Sequence, residues 1–264
     1  MKGTFQRKYL GIPYALYLLV FVVMPLIVIV KYAFTDASGK PGIGNFINFF
    51  TDPNTLGTLM YSLFLAFATT LICLLIAYPA AYCLAMSKIT SKGAILMLMI
   101  MPMWINFTLR ITALKELLTM IEGNLALYPF INSVIGMTYD FLPFMILPIY
   151  NQISRIDKSL LEAASDLGAD PVQAFLRVLL PLSMPGVISG ISMVFLPAMT
   201  NYVVLDMLYN STYIMGSLIG SYFSAYDWHG GSTISLILLV IICLFTLIVG
   251  GEDEGKTVRG GSVL

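Results

Sequence analysis

Two aspartates lie within strongly apolar stretches of the chain, where a charged side chain is costly to bury. Asp140 occurs in the segment MTYDFLPF, and Asp206 ends a run of 28 uncharged residues. A carboxylate in such a stretch is by default a candidate functional group. Each aspartate also has a structural interpretation: Asp140 can pair with Arg110 as a buried ion pair, and Asp206 can lie in water at an outer interface. Both interpretations remain open from the sequence.

The chain offers no set of residues for catalysis or for a metal site. His229 is the only histidine, and it stands beside a single aspartate in YDWHGG, where Trp228 is expected to anchor it at a membrane surface. The three cysteines all occur in apolar stretches without a pairing pattern, so they are expected to be small hydrophobic residues. We therefore predict no catalytic residue, no metal ligand and no cofactor bound by this chain.

One motif matches a phosphate-binding loop only formally. Residues 250–257, GGEDEGKT, fit the pattern G-x-x-x-x-G-K-T. That loop needs a strand before it and a helix after it, whereas this segment follows an apolar stretch and has seven residues behind it. Three consecutive acidic side chains at 252–254 would also repel phosphate. Residues 251–264 are therefore predicted to be a disordered, solvated tail.

The composition indicates a membrane protein. Of the 264 residues, 58% are hydrophobic and 11% are charged, with a mean hydropathy of +0.88, whereas soluble domains carry about 25% charged residues. A helix needs about 20 mostly apolar residues to cross the hydrocarbon core. Six stretches qualify and together define a transmembrane domain over residues 1–250: 9–30, 58–86, 93–114, 130–150, 183–208 and 231–250.

The basic residues give these six helices an orientation, because lysine and arginine concentrate in cytoplasmic loops. With the N-terminus inside, ten basic residues fall in inner segments, three fall in outer segments, and Arg110 lies within a span. Both termini and the connecting segment 155–181 are therefore predicted to be cytoplasmic. The inner residues are Lys2, Arg7, Lys8, Lys88, Lys92, Arg155, Lys158, Arg177, Lys256 and Arg259, and the outer residues are Lys31, Lys40 and Lys115.

The cytoplasmic segment carries signals for two helix boundaries. Ser159 and Glu162 form a capping-box pattern that predicts the start of a short helix. Gly168 can adopt the left-handed conformation that ends such a helix, and Asp170 followed by Pro171 predicts the start of another. We therefore expect a helix, a sharp turn and a second helix.

Within this segment a longer spaced pattern resembles a known loop. It runs Glu162-Ala163-Ala164, then Gly168, Val178 and Leu180-Pro181. The pattern resembles the EAA loop of permease subunits of bacterial binding-protein-dependent ABC importers, with Val178 where that family has isoleucine. The resemblance implies the type I ABC importer permease fold and a coupling-helix loop that docks on a cytoplasmic ATPase. The implied ATPase-coupling residues are Glu162, Ala163, Ala164, Gly168, Leu180 and Pro181. The alternative is an amphipathic hairpin that merely covers the helices.

Three further stretches resemble one subfamily, the B-type permease subunits of spermidine/putrescine importers. They are PMWINFTLR at 102–110, LPFMILPIY at 142–150 and LPLSMPGVISG at 180–190. A path for a flexible polycation needs carboxylates for its ammonium groups and aromatic faces for cation–π contact. On that reading the candidate substrate-path residues are Asp140, Asp206, Trp104, Tyr139 and Asn106. Permeases for sulfate, molybdate or ferric iron share the loop, so another solute remains possible.

The resemblance also implies a set of partners in the bacterial plasma membrane. They are a dimer of cytoplasmic ABC ATPases that bind ATP and Mg, a second permease subunit, an extracytoplasmic solute-binding protein and the lipid bilayer, with no nucleic acid. This chain would then be a translocation subunit working by alternating access, without an ATPase site of its own. The competing hypotheses are an ion-coupled secondary transporter, with Asp140 in a proton relay, and a membrane scaffold without a transport role.

One further pattern concerns helix packing. Gly186 and Gly190 form a G-x-x-x-G step in the fifth predicted span. Such a step lets the backbone of another helix approach closely. We expect a tight helix contact there rather than a ligand site.

Overall fold

The computed structural model describes residues 11–36, 38–208 and 214–250, and these residues confirm the all-α fold class. Apart from one isolated bridge between Thr35 and Pro41, the described residues have no β-structure. The helices are α1 (Gly11–Ala33), α2 (Gly44–Thr51), α3 (Pro53–Met86), α4 (Lys92–Ile100), α5 (Phe107–Glu122), α6 (Pro129–Ile153), α7 (Ser159–Asp166), α8 (Pro171–Thr200), α9 (Val203–Leu208), α10 (Met215–Ser224) and α11 (Trp228–Gly250).

Five described helices are long and apolar enough to cross a membrane: α1, α3, α6, α8 and α11. The stretch predicted as the third span, 93–114, is not one straight helix. It consists of α4 with the 3-10 turn Met101–Trp104, followed after a break by α5 at an angle of 93°. If this bent pair counts as one span, the total is six. The break follows Pro102, in keeping with the tendency of proline to interrupt a helix.

The fifth predicted span, 183–208, also differs from the structure. Helix α8 begins at Pro171, within the predicted cytoplasmic loop, and ends at Thr200. Asn201 and Tyr202 then interrupt the helix before α9 begins at Val203. The second short helix predicted for the loop is therefore the first part of a long spanning helix.

Two of the long helices pass a proline by means of a wide turn. In α8 the π turn Phe175–Leu179 ends two residues before Pro181. In α1 the π turn Leu19–Val23 likewise ends two residues before Pro25. A proline has no N–H to donate, and its ring crowds the carbonyl four residues earlier. A π turn widens the backbone at that place, and both helices continue through the proline.

The chain forms two compact units. The first contains the described residues up to 58 together with 217–241, and the second contains 59–216 and the described residues from 242 onward. In the first unit, the Asn45 side chain donates to the carbonyls of Ala33 (3.2 Å) and Thr35 (2.9 Å). His229 Nδ1 lies 3.1 Å from the Tyr32 carbonyl oxygen. These contacts fix the end of α1 to α2 and to the start of α11.

The second unit is built around the antiparallel pair α6 and α8. A Cβ atom at Gly186 would lie 2.6 Å from Gln152 Cβ and 2.8 Å from the Pro148 carbonyl oxygen. A Cβ atom at Gly190 would lie 2.6 Å from Met145 Sδ. The close approach expected from the G-x-x-x-G step is thus present, and its partner is α6.

This packing predicts the effect of a larger residue at the step. Gly186→Leu should lower the thermal stability of the detergent-solubilised protein, because the new side chain would meet the backbone of α6. Overpacking of this kind typically costs about 1–3 kcal/mol. Gly57→Ala is a suitable control, since Gly57 lies in a helix with open space around it. Equal melting temperatures for Gly186→Leu and the unaltered protein would contradict the packing.

Candidate functional site

The short helix α7 begins differently from the sequence prediction. The backbone N–H of Glu162 donates to the Lys158 carbonyl oxygen and not to Ser159, so the predicted capping box is wrong. Asp157 caps this end instead, because its Oδ1 accepts from the Ser159 backbone N–H at 3.0 Å. That hydrogen bond holds the pKa of the Asp157 carboxyl below its usual value. Asp157 lies two residues before Ser159 in the sequence, so this cap could have been predicted.

The turn after α7 is a complete Schellman motif. The N–H of Ala169 donates to the Ala164 carbonyl (3.0 Å), and the N–H of Gly168 donates to the Ser165 carbonyl (2.9 Å). Gly168 has a φ of +83°, in the left-handed region. The predicted role of Gly168 as the end of the helix is confirmed, and the motif fixes the direction in which the chain leaves.

The chain then enters α8 through a second cap. Asp170 Oδ1 accepts from the Gln173 backbone N–H at 2.7 Å, and Pro171 occupies the first helical turn, as predicted. We call residues 157–173 the elbow. Because its last residues already belong to α8, the elbow is joined to a spanning helix without a flexible linker.

Exposed apolar side chains distinguish the elbow from an ordinary polar loop. Leu167 is 90% exposed, Val172 is 63% exposed and Leu160 is 46% exposed. Glu162 and Ala163 are also exposed, so the surface contains a carboxylate and a small residue beside the apolar side chains. Ala164 and Leu180 are half-buried and Pro181 is exposed. The exposed leucines and valine provide a surface that a partner protein could cover.

A second cluster of polar residues lies within the helices of the same unit. Arg110 on α5 and Asp140 on α6 form an ion pair between Nη2 and Oδ1, and their side chains are 5% and 7% exposed. The Arg110 Nη1 atom also donates to the Pro102 carbonyl oxygen at 2.9 Å. The structure therefore shows the ion-pair interpretation of Asp140. Removing one partner of a buried pair typically costs about 3–5 kcal/mol, because the other charge is left uncompensated.

The other oxygen of Asp140 contacts the second helix break. Asn201, directly after α8, donates from Nδ2 to Asp140 Oδ2 at 3.4 Å. The guanidinium of Arg110 further lies 5.7 Å from the ring centroid of Tyr139 and 6.0 Å from that of Phe107. Asp140 thus connects the bend between α4 and α5 to the interruption between α8 and α9.

The remaining predicted substrate-path residues are spread around this cluster. Trp104 is 81% exposed at the bend, and Tyr139 is 38% exposed. Asn106 caps α5, because its Oδ1 accepts from the N–H groups of Thr108 (3.0 Å) and Leu109 (3.4 Å). Asp206 is exposed on α9 and does not lie within a spanning helix. The predicted fifth span, 183–208, included Asp206, whereas in the structure Asn201 and Tyr202 interrupt the helix before that residue.

Two functional contacts were missed from the sequence. Asn201 was not selected, although it is a polar residue at the end of a long apolar stretch and four residues after Pro197. The Pro102 carbonyl was also missed, because a sequence pattern does not reveal which backbone oxygen a side chain reaches. Among the described residues, no group of three or more His, Cys, Asp or Glu side chains could hold a metal ion. The tail at 251–264 lies outside the described residues.

Comparison with known proteins identifies the family. Residues 75–251 match the model of the family described as "Binding-protein-dependent transport system inner membrane component". The spermidine/putrescine transport system permease protein PotB of Haemophilus influenzae is 35% identical over 272 residues, covering 94% of each chain. The protein of the same name from Escherichia coli is 34% identical, covering 88% of this chain and 92% of its own.

The chain belongs to this family of inner-membrane transport components.

Chains of solved ABC transporters confirm the importer permease fold. A chain of a bacterial ABC transporter that imports the acidic polysaccharide alginate superposes with a TM-score of 0.71 at 16% identity, covering 95% of both chains. A chain of a bacterial alginate ABC transporter, in complex with a periplasmic protein bound to an alginate pentasaccharide, gives a TM-score of 0.72 at 14% identity. At these identities the likeness concerns the fold alone. The resemblance found in the EAA pattern is thereby confirmed at the level of family and fold.

Substitutions at Asp157 and Ser159 test which of the two residues caps the start of α7. Asp157→Ala should increase hydrogen exchange of the amides at the start of α7, because the Ser159 N–H loses its acceptor; losing a helix cap typically costs about 1 kcal/mol. Ser159→Ala should leave the exchange unchanged. Since the Asp157 pKa is lowered, the cap is present at neutral pH and is lost only as the pH falls through that lowered value. Faster exchange in Ser159→Ala alone would contradict the assignment.

Proposed function

We propose that this chain is the permease subunit of an ATP-driven ABC importer that takes up spermidine or putrescine. The observation that carries the proposal is the elbow: a capped, rigid element with exposed apolar side chains, joined directly to a spanning helix. The names of the curated relatives support the choice of solute. In this proposal the elbow and both termini are cytoplasmic, and the chain has no ATPase site of its own.

The elbow suits docking on a cytoplasmic ATPase for physical reasons. A helix of eight residues is marginal by itself and persists only through caps and packing. The Asp157 cap, the Schellman turn at Gly168 and the Asp170 cap provide these contacts, and the exposed Leu167 and Val172 would be covered by the partner. A displacement of the elbow would then move α8 as a continuous body. ATP would act through its different contacts in the two states of the transporter.

The remaining partners follow from the same proposal. Two ATPase subunits would bind ATP and Mg, a second permease subunit would complete the path, and an extracytoplasmic protein would deliver the solute. The complex of the alginate transporter with a periplasmic protein supports a binding-protein partner for permeases of this fold.

We propose that the solute contacts the exposed groups around the buried cluster. Asp206 is an exposed carboxylate suited to an ammonium group, whereas Asp140 is already neutralised by Arg110. Trp104 and Tyr139 present aromatic faces to the methylene chain and the ammonium groups of a polyamine. Asn106 would act indirectly, by fixing the start of α5 beside Trp104.

Uptake measurements test the choice of solute. Cells that contain the complete importer should accumulate labelled spermidine or putrescine, and cells that lack this chain should not. Excess unlabelled polyamine should compete, whereas sulfate, molybdate and ferric iron should not. Accumulation that only one of these inorganic solutes abolishes would assign the permease to that solute instead.

A substitution in the elbow tests the coupling. Gly168→Val should reduce solute uptake relative to ATP hydrolysis in the reconstituted complex, because valine is strongly disfavoured at a φ of +83°. Gly168→Asn is the matched control, since asparagine tolerates this conformation and no atom lies within 4 Å of a Cβ there. Equal ratios of uptake to hydrolysis in the two variants would argue against a mechanical role for the turn.

A second substitution tests the proposed cation contact. Asp206→Asn should raise the KM for polyamine uptake about tenfold or more while protein levels stay normal, because the loss of one charge-assisted contact costs about 1.5–3 kcal/mol. Asp36→Asn is a control on another exposed aspartate, located in the first unit. An unchanged KM in Asp206→Asn would remove this residue from the solute path.

A further inference from the structure

Helix α8 connects the elbow with the buried ion pair. It begins at the Asp170 cap and ends at Thr200, immediately before Asn201, whose side chain reaches Asp140. Thirty residues of helix span about 45 Å at 1.5 Å per residue. One continuous helix therefore joins the elbow to the residue that contacts the Asp140 carboxylate.

Both helix interruptions near Asp140 are held by side chains rather than by a helical ladder. At the first break, Arg110 bonds the Pro102 carbonyl and Asp140 together, and thereby fixes the bend between α4 and α5 against α6. At the second break, Asn201 fixes the end of α8 against the same carboxylate. We call Arg110, Asp140 and Asn201 the clasp. Through the clasp, both breaks are bonded to the same carboxylate of α6.

The charges of the clasp balance among themselves. The guanidinium and the carboxylate neutralise each other, and the amide of Asn201 bonds the second carboxylate oxygen. The contacts are unequal: Asn201 lies at 3.4 Å, near the limit for a hydrogen bond, and Arg110 Nε is buried without a partner among the described residues. The weakest contact is therefore the one at the end of α8.

Between its two ends α8 packs closely against α6. At this contact Gly186 and Gly190 of α8 lie against Pro148 and Met145 of α6, so the small residues let the two backbones come close together. Gln152 donates to the Leu182 carbonyl at 3.0 Å and is the other amide contact between the two helices. It lies at the elbow end, whereas Asn201 lies at the far end.

We propose that the clasp holds the two helix breaks in one state of the transport cycle and opens in the other, when the elbow moves α8 and withdraws Asn201 from Asp140. Arg110, Asp140 and Asn201 are positioning residues in this inference, and none of them is required to touch the solute. The inference rests on the proposed function, because it needs a transporter with two states.

A reversible cross-link tests whether the clasp opens. In a background with Cys73→Ala, Cys83→Ala and Cys243→Ala, the pair Asp140→Cys and Asn201→Cys, which replaces the contact that the proposal says opens, is joined by a short bifunctional methanethiosulfonate in the reconstituted complex. Polyamine uptake should fall about tenfold or more, since a covalent bond removes one state from the cycle. A thiol reductant should restore uptake. Each of the two single-cysteine variants should show the same uptake before and after treatment, because neither can form the cross-link.

The same variant gives a readout that does not depend on uptake. The yield of cross-linking should differ several-fold between the nucleotide-free complex and the vanadate-trapped complex. Equal yields in both states, or full uptake after cross-linking, would overturn the clasp while leaving the proposed function intact. Absence of polyamine uptake by the unaltered complex would instead contradict the proposed function.

A milder substitution covers the case in which the double-cysteine variant fails to assemble. Asn201→Leu removes the weakest contact without leaving a charge unpaired, and it should raise ATP hydrolysis in the absence of the binding protein several-fold at unchanged KM for the solute. Gln152→Leu is the matched control, because it removes the other amide contact between α6 and α8. Identical hydrolysis rates in the two variants would show that Asn201 only contributes packing, and would overturn the proposal.

Discussion

The backbone of a spanning segment must satisfy its own hydrogen bonds, because hydrocarbon offers no partner. This constraint explains why the described spans are long helices and why the two interruptions of the second unit need support. At one interruption Asn106 caps the helix that resumes and Arg110 bonds the Pro102 carbonyl; at the other, Asn201 reaches Asp140. Interrupting a spanning helix leaves backbone groups without helical partners. The buried side chains at the two interruptions supply contacts in their place.

Most prolines of the described spanning segments lie within helices that continue, whereas Pro102 lies at a bend. Pro25 and Pro181 follow π turns within helices that continue, whereas Pro102 stands in a 3-10 turn that ends in a sharp bend. A continuous helix can move as one body from end to end, whereas a bend lets the chain change direction. The continuous passage at Pro181 is what connects the elbow to the far end of α8, and the bend after Pro102 is where a side-chain clasp becomes necessary.

Much of this organisation was predictable from the sequence, and the errors have physical causes. The all-helical class, the turn at Gly168 and the cap at Asp170 depend on local chemistry, so local patterns revealed them. The capping box at Ser159 failed because Asp157, a stronger acceptor, competes for the same helix end. The bend in the third span and the end of the fifth span were missed because hydropathy averages over a window and does not register a break. The pairing of Arg110 with Asp140 was an open alternative, since only tertiary packing decides which charges meet.

The neutral clasp also bears on how a polycation could pass such a permease. A lone buried carboxylate would bind an ammonium group tightly and release it slowly, whereas a carboxylate already paired with an arginine presents little net charge to the path. The exposed carboxylate of Asp206 and the aromatic faces of Trp104 and Tyr139 attract a cation more weakly, because water screens them. Transport requires a solute to leave as readily as it enters. Under the proposed function, the strong interaction of Arg110 with Asp140 would hold the helices together, and the weaker interactions would be left for the solute.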